Sequence, residues 1–475
     1  MGSDSDRSRG FSRAHAALPP GSAPQGALPL TGWRQTFASL IEHPVFATYY
    51  VGNVGFFFGM NMMIILRGWL VFQLTDRASS LGLIMATVAL PMLILAPIGG
   101  VVADRIDKRT LLLWTQSTVT LVNLVNTVLI WTGVIEFWHL LVMSVLSGAA
   151  FSFNMPGRQA LVAMLVPRER LMNAMSLSTA AMNASRVVAP ALGGVLIEPL
   201  GMGGAFAVCT AFYGVAVVTT WFLPPSPPVG REAEFTFFED FKGGFRYIRA
   251  DQLVLGLLLF ATVPAVFAMP YQTLMPVFAD EVWDVGEVGL GLLQAASGLG
   301  GLVGALVVAN LDEYQRKGRL LLWGTVAFGA FVAAFALSPS FYPALVFLAA
   351  TGLVSMVAMT VTNTSIQLVI PDHVRGRVMS VMMMTFGLMP LGSVPASFMA
   401  DAVGSPLTTA LGAALLVGSA LLIFQVIPGF RGLDAVIEGR RAESTRRHLQ
   451  RLHAAGAPPV AEGEAAAMRA AAPAD

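Results

Sequence analysis

Arginines inside long apolar segments are the residues of this chain with the clearest capacity for chemistry. Arg67 and Arg186 both lie well within runs of aliphatic residues. A charge at the centre of a bilayer costs about 2.5–3.5 kcal/mol on insertion scales, so it is usually kept for a purpose. Such an arginine can bind an anionic ligand, but it can also bond to protein carbonyls or extend its charge to the bilayer surface. For Arg186 the alternative to ligand binding is a bond to carbonyls or to helix 4, and for Arg67 it is extension of the charge to the outer surface.

Polar side chains accompany these arginines in the apolar segments. Asn53, Asn61 and Arg67 fall within about 120° of one helix face at 100° per residue, and Tyr271 and Gln272 stand at a similar place in a later segment. We predict that this face lines a substrate cavity. The predicted cavity residues are Asn53, Asn61, Arg67, Asn154, Arg186, Tyr271, Gln272 and Asn363.

Carboxylates occur at the ends of the apolar segments and not deep within them. Proton-driven membrane proteins commonly carry the proton on Asp, Glu or His. Here the candidates are Asp104, Glu198 and His139, unless the substrate itself carries the proton.

Motifs of other protein classes are absent from the sequence. None of the three lysines ends a phosphate-binding loop, and neither His-Glu-x-x-His nor Gly-x-Ser-x-Gly occurs. The single cysteine, Cys209, excludes an intrachain disulfide or a cysteine metal cluster. We therefore predict no enzyme activity, no cofactor, no metal, no ATP and no nucleic acid.

Composition identifies the elements that position these groups. The 475 residues are 55% hydrophobic and 12% charged, with a mean hydropathy of +0.68, whereas soluble domains carry about 25% charged residues. A spanning helix needs about 20 apolar residues. This rule predicts an all-α membrane protein with twelve transmembrane helices, at 46–74, 81–103, 110–132, 138–156, 172–197, 203–223, 252–277, 288–310, 320–338, 341–363, 378–400 and 406–427.

Lysine and arginine fall almost entirely on one side of these helices. Of the 29, the two tails and the loops after even-numbered helices hold 26, and the opposite side holds only Arg77. Positive charge marks the cytoplasmic side. We predict a multi-pass protein of the inner membrane with both termini in the cytoplasm.

Internal similarity divides the chain into two pseudo-symmetric halves. Leu-Leu-Leu-Trp at 111–114 recurs at 320–323, an offset of 209, and 166–177 resembles 370–381, an offset of 204. Two parallel six-helix halves form a major facilitator fold. The predicted organisation is a tail at 1–43, a half at 44–223, a cytoplasmic linker with a surface helix at 224–251, a half at 252–427 and a basic tail at 428–475.

Two local motifs resemble those of the major facilitator superfamily. Gly100, Asp104, Arg105, Lys108 and Arg109 match its signature between helices 2 and 3, with Asp107 where glycine is usual. That variation is similar to the enterobactin-exporter and macrolide-efflux branch, the transmembrane secretion effectors. A second stretch, from Asn183 through Arg186 to Pro190, Gly193 and Gly194, resembles the antiporter motif of exporters, although Ala189 replaces the usual glycine.

The resemblance implies roles for these residues. Asp104 would bond to the N-terminal end of helix 11, near 376–380, because that end carries partial positive charge. We predict that Gly100, Asp104, Arg105 and Arg109 form a conformational latch, with Arg158 at the end of helix 4 as a partner. Pro190, Gly193 and Gly194 would bend helix 5 and pack it against helix 8, where Gly298, Gly300, Gly301 and Gly304 are the counterpart.

The predicted function is secondary active export of a small amphipathic molecule, a siderophore or a drug, by alternating access and proton antiport. Three alternatives stay open. The chain could be a lysophospholipid flippase, which would be favoured by a lateral opening between helices 5 and 8, or a metabolite importer. It could also be a non-transporting sensor or scaffold that acts through its C-terminal tail.

Overall fold

The structure is a computed structural model, and all its regular elements are helices within the residues it describes. These are residues 36–226, 237–309, 317–370 and 387–427, with isolated residues 374, 378, 381, 382, 430, 433, 435, 436 and 439. Within these ranges the side chains at 96, 97, 100, 101, 104, 237–242, 244 and 309 are not described.

The first set of helices follows a short helix, Ala38–Glu42. We label Pro44–Thr75 as α1, Ala78–Arg105 as α2, Lys108–Trp131 as α3 and Phe137–Leu165 as α4. The helix Arg168–Trp221 is interrupted at Gly201, whose φ is +67°. Glycine adopts that backbone conformation without strain, so the chain turns there. The segment before Gly201 is α5 and the segment after it is α6.

The second set follows a helix at Phe237–Ala250. Its first element, α7, runs through Gln252–Phe267 and resumes as Pro270–Val277 and a π-helical turn, Phe278–Val282. The others are Gly286–Ala309 (α8), Lys317–Ala336 (α9), Phe341–Val369 (α10), Met389–Val403 (α11) and Ser405–Val426 (α12).

Nine helices in the described part of the chain are long and apolar enough to cross a membrane. One of the nine is the helix Arg168–Trp221, which contains both α5 and α6. Helix α3 and the 15 described residues of α11 do not meet the length and hydropathy criterion. The predicted count of twelve therefore stays a prediction. Two predicted ends are wrong. The fourth span ends at Leu165 instead of 156, and the tenth at Val369 instead of 363. The predicted spans stop early because hydropathy falls at Arg158 and Asn363. The helices continue past these residues, since the hydrogen bonds of a helix backbone do not depend on side-chain polarity.

Helices α1–α6 pack mainly on one another, as do α7–α12, and the two sets meet along α5–α8 and α2–α11. We call the end of the bundle where α1 begins and α12 ends the terminal face, and the opposite end the far face. The predicted division of the chain, with its linker at 224–251, stays a prediction.

Buried apolar side chains join the two sets only toward the far face, among the described residues. One cluster there includes Phe56 and Phe206 from the first set and Phe278 and Phe335 from the second. Toward the terminal face, the residues around Leu161 form a cluster of the first set alone. A third cluster contains residues of the second set and of the chain on either side of it, such as Ile248 and Phe430, and none of the first set. The described part of the bundle is therefore closed at the far face and divided at the terminal face.

Candidate functional site

A cavity of about 430 Å³ lies between the two sets of helices. That size falls within the range of small-molecule sites. Helices α1 and α5 line one side, and α7, α8, α9, α10 and the start of α11 line the other. Its polar lining includes Asn61, Asn183, Arg186, Gln272, Gln294, Ser297, Ser355 and Asn363, and its apolar lining includes Met60, Phe260, Met269, Phe328, Met356, Met359, Met382 and Met389.

Arg186 is the one ionisable residue among the described residues that line this cavity. Its side chain is exposed, and no described residue forms a hydrogen bond or ion pair with its guanidinium. Guanidinium groups bind carboxylates and phosphates through several N–H donors at once. The cavity thus combines one available cation with a surface that is mostly apolar.

Four of the predicted cavity residues line the cavity: Asn61, Arg186, Gln272 and Asn363. The Asn61 amide donates to the Phe57 carbonyl at 2.9 Å and to Ser185 Oγ at 3.1 Å, which fixes its orientation on α1. Tyr271 lies behind the cavity wall instead. Its hydroxyl is 3.4 Å from Ser297 Oγ and accepts a hydrogen bond from Gln272 Nε2 at 3.3 Å.

Asn53 and Asn154 do not line the cavity, and the prediction placed them wrongly. Both amides bind Arg158 inside the first set of helices. Arg158 Nη1 donates to Asn53 Oδ1 at 2.7 Å, and Arg158 Nε donates to Asn154 Oδ1 at 3.3 Å. The guanidinium also lies 4.0 Å from the centre of the Phe56 ring, a cation–π distance. These groups hold α1 against α4.

Arg67 is also absent from the cavity lining, and its side chain is buried within the first set of helices. Arg67 is 8% exposed, and its Nη1 donates a hydrogen bond to Ser144 Oγ on α4 at 3.4 Å. Its Nε has no partner among the described residues. Arg67 and Arg158 therefore form reciprocal contacts, because α1 supplies one arginine to α4 and α4 supplies one to α1.

The residues predicted to form a latch do not form one cluster in the described part of the structure. Arg109 Nη2 donates to the Trp221 carbonyl at 2.6 Å, so it holds the end of α6. Arg105 is exposed. The structure does not describe the side chain of Asp104, the packing around Gly100, or most of residues 371–386. Arg158 lies within α4, not at its end.

Asp107, at the position where the related motif has glycine, has a clear structural role. Its carboxylate accepts the backbone N–H of Thr110 at 2.7 Å, which caps α3, and the backbone N–H of Ser226 at 2.5 Å. Partial burial raises the pKa of this carboxyl, but the amide hydrogen bonds and the nearby Arg109 charge outweigh that effect and hold the pKa below its usual value. Asp107 thus joins the α2–α3 loop to the chain that leaves α6.

A carboxylate at the far face connects the two sets of helices. Asp401, near the end of α11, accepts the backbone N–H of Ala78 at 2.7 Å and of Ser79 at 3.1 Å. These amides begin α2, where the helix dipole favours a negative charge. The sequence analysis assigned no partner to carboxylates at helix ends, because nothing local indicates a partner more than 300 positions away in the chain.

The contact between α5 and α8 is close, as the antiporter-like motif predicted. A Cβ atom at Gly291 would lie 2.9 Å from the Pro190 carbonyl and 3.3 Å from Gly194 Cα. Gly298 also meets the backbone of α5, at Arg186. Three of the predicted counterparts on α8 were wrong, since Gly300, Gly301 and Gly304 face α10. Within the motif on α5, Gly193 faces Met62 on α1. Helix α5 is not interrupted at Pro190, because the one non-helical residue in Arg168–Trp221 is Gly201, and the bend predicted for Pro190, Gly193 and Gly194 stays a prediction.

Comparisons with known proteins agree with this architecture. Residues 35–445 match the family model of transmembrane secretion effectors. The enterobactin exporter EntS of Escherichia coli O1:K1 is 26% identical over 386 residues, which cover 80% of this chain and 88% of that protein. EntS of Shigella flexneri is 25% identical over 384 residues, with the same coverage.

Two solved structures share the fold at low sequence identity. The nucleoside transporter NupG has a TM-score of 0.64 and 13% identity, covering 80% of this chain and 99% of that one. A bacterial homolog of the human lysosomal transporter Spinster has a TM-score of 0.63 and 14% identity, covering 84% and 98%.

Proposed function

Because this chain belongs to the transmembrane secretion effector family and is a multi-pass transporter of the major facilitator type in the inner membrane, we propose that it exports a small amphipathic molecule. Siderophores and drugs are the candidate substrates, and the similarity to enterobactin exporters favours the former. Export occurs by alternating access, as the two halves rock about a central site.

The observation that carries this proposal is the cavity between the two sets of helices. It combines apolar and thioether side chains with a few amides and one arginine, a lining suited to an amphipathic ligand. The described halves are joined toward the far face and divided toward the terminal face. If the terminal face is cytoplasmic, as the distribution of positive charge predicts, this conformation receives substrate from the cytoplasm.

Proton antiport is part of the proposal. The cavity has no carboxylate among its described lining residues, so the proton carrier lies elsewhere. Asp104, Glu198 and His139 remain the candidates within the chain, and a titratable substrate is the alternative. The conformational latch formed by Gly100, Asp104, Arg105 and Arg109 is likewise a proposal.

The alternatives have less support from the geometry. A lysophospholipid flippase would be favoured by a lateral opening between α5 and α8, whereas Gly194 and Gly291 bring those helices into contact. No observation favours a metabolite importer. A scaffold acting through its C-terminal tail would need no cavity of this kind.

Flux measurements in proteoliposomes test the proposal. The purified protein is reconstituted with an imposed proton gradient, and a panel of siderophores, macrolides and lysophospholipids is assayed beside protein-free vesicles. Proton-driven movement of a siderophore or macrolide supports the proposal. Movement that ignores the gradient contradicts antiport, and movement of lysophospholipid alone favours the flippase. Deletion of 440–475, which spares the buried Leu433 of the second half's core, should leave the flux intact, while loss of all activity on deletion would favour the scaffold.

A further inference from the structure

The electrostatic character of the cavity is unbalanced. Arg186 is its one ionisable side chain among the described residues, and other polar groups of the lining, such as Asn183 and Gln294, are neutral amides. Two buried arginines of the first set, Arg67 and Arg158, donate to Ser144 and Asn53 away from the cavity. Their side chains therefore do not take part in binding there.

An unpaired cation in a cavity of low polarity attracts one negative charge strongly. Coulombic attraction is less screened there than in water, and a guanidinium bound to an oxyanion forms short, charge-assisted hydrogen bonds. A cationic ligand would instead meet like charge, with no carboxylate in the described lining to neutralise it.

We propose that the cavity selects amphiphiles that carry one anionic group, a carboxylate, sulfonate, phosphate or ionised phenol, and that Arg186 binds this group. The apolar body of the ligand packs on the methionines and on Phe260 and Phe328. This inference rests on the proposed function, since it names the substrate class of the same cavity. It excludes permanently cationic drugs as preferred substrates.

Equilibrium binding to the purified full-length protein tests this selectivity without requiring transport. Anilinonaphthalene sulfonate and N-phenylnaphthylamine share one aromatic body, and only the former carries a negative charge. Dialysis against detergent micelles containing the protein gives both dissociation constants, with protein-free micelles as the blank. Arg186→Gln removes the charge, Arg186→Lys keeps it, and Arg246→Gln removes an exposed arginine outside the cavity.

We expect the wild type and Arg246→Gln to bind the sulfonate at least about tenfold more tightly than the neutral probe, since one charge-assisted contact is enough for that factor. Arg186→Gln should abolish this ratio while leaving the neutral probe's dissociation constant within about twofold. Arg186→Lys should retain most of the ratio.

Three results would overturn the inference. They are equal affinity of the wild type for the two probes, no saturable binding of the sulfonate, and a ratio of dissociation constants in Arg186→Gln that equals that of the wild type. Anion selectivity without flux of any panel compound, with or without the gradient, would leave the site intact and count against the export function, so the two failures are distinguishable.

A second inference comes from the far face, on independent contacts. We infer that Asp401 and the N-terminus of α2 form a latch that holds the far face closed. The carboxylate bonds to the amides of Ala78 and Ser79 at 2.7 and 3.1 Å, and it connects helices from the two sets. Rocking that opens the far face separates α2 from α11 at this end, so both bonds must break.

Distances between spin labels at the far face test this latch. Thr132→Cys and Ser340→Cys place one exposed label on each half, and the native Cys209 is fully buried, so the unmodified chain serves as the labelling blank. The pair is examined in the full-length protein with Asp401→Asn, Asp401→Ala, or the matched surface change Asp284→Asn.

In both Asp401 variants we expect about a tenfold larger population of molecules with a long distance between the labels at 132 and 340. The reason is that each variant removes a charged hydrogen-bond acceptor from the closed state. Asp284→Asn should match the parent, because Asp284 is exposed at the same face and no described residue donates to it across the halves. Distance distributions in the Asp401 variants that coincide with that of Asp284→Asn would reject the latch.

Discussion

The guanidinium of Arg158 donates a hydrogen bond of 2.7 Å to Oδ1 of Asn53, and this bond joins α4 to α1 inside the first half. No carboxylate in the described part of the chain pairs with this arginine. Neutral amides and the Phe56 ring carry its contacts instead. Because rocking transporters move each half as one body, contacts that fix helices within a half stabilise the unit that moves.

Asn53→Leu should destabilise the protein, since it leaves the buried Arg158 without its closest acceptor. A hydrogen bond to a charged group contributes about 1.5–3 kcal/mol. Thermal unfolding in detergent should show a lower midpoint than for the control Asn126→Leu, whose amide oxygen has no partner among the described residues. Equal midpoints for the two variants would contradict the structural role of the Arg158–Asn53 bond.

Arg67→Gln should leave ligand binding unchanged, because Arg67 faces Ser144 and not the cavity. Titration of the variant with anilinonaphthalene sulfonate should give a dissociation constant within about twofold of the wild type, while Arg186→Gln should weaken binding by about tenfold or more. A loss in Arg67→Gln as large as that in Arg186→Gln would place Arg67 in the binding site.

Gly291→Leu should slow transport, since its side chain would meet the Pro190 carbonyl and Gly194 across the contact between the halves. Gly214→Leu is the matched control, because a Cβ at Gly214 has nothing within 4 Å. Proteoliposome flux should fall by about tenfold or more in the first variant, as expected when close helix contacts are forced apart. Equal flux in the two would show that this contact does not limit the transport cycle.

Asp104→Asn should alter the transport cycle if Asp104 bonds to the N-terminal end of helix 11. Loss of the charge weakens a contact with a helix dipole by about 0.3–2 kcal/mol, which favours opening of the terminal face. Flux under gradients of either direction should then differ from the wild type. A normal rate under all gradients would remove Asp104 from the proposed latch.

The Asp107 tether should depend on pH. Its folded-state pKa lies below the usual 3.8, so its contribution to stability is complete above that value and is lost as the pH falls through the lower folded-state pKa. Hydrogen exchange at the Thr110 and Ser226 amides should therefore rise, beyond the intrinsic pH trend, only below about pH 4. In Asp107→Asn the tether should already be weakened at neutral pH, with no further transition on acidification.

Helix periodicity predicted the cavity only in part, for a geometric reason. Asn53, Asn61 and Arg67 share an arc of about 120° on α1, and so wide an arc reaches two neighbours. Asn61 at one edge faces α5 and the cavity, whereas Asn53 and Arg67 at the other edge face α4. Hydropathy and charge predicted the helices, but they do not say which neighbour each face contacts.

Residues that act across the two halves were the hardest to predict. Gln294 and Ser297 on α8 line the cavity, and a polar pair in an apolar run was the available signal. Asp401 gave no comparable signal, since its partners are backbone amides that any sequence provides. Arg186 was predicted to line the cavity because its depth and its motif both indicated a function.

The reciprocal arginine contacts between α1 and α4 also bear on how the protein is made. Arg67 enters the bilayer with α1, yet its partner Ser144 lies 77 positions later in the chain. We infer that α1 stays beside the insertion machinery until α4 is inserted. Helix α4 brings both an acceptor for Arg67 and an arginine for Asn53. Biogenesis of this half would then be a single cooperative event, and a nascent chain stopped before α4 would be recognised as incomplete by membrane quality control.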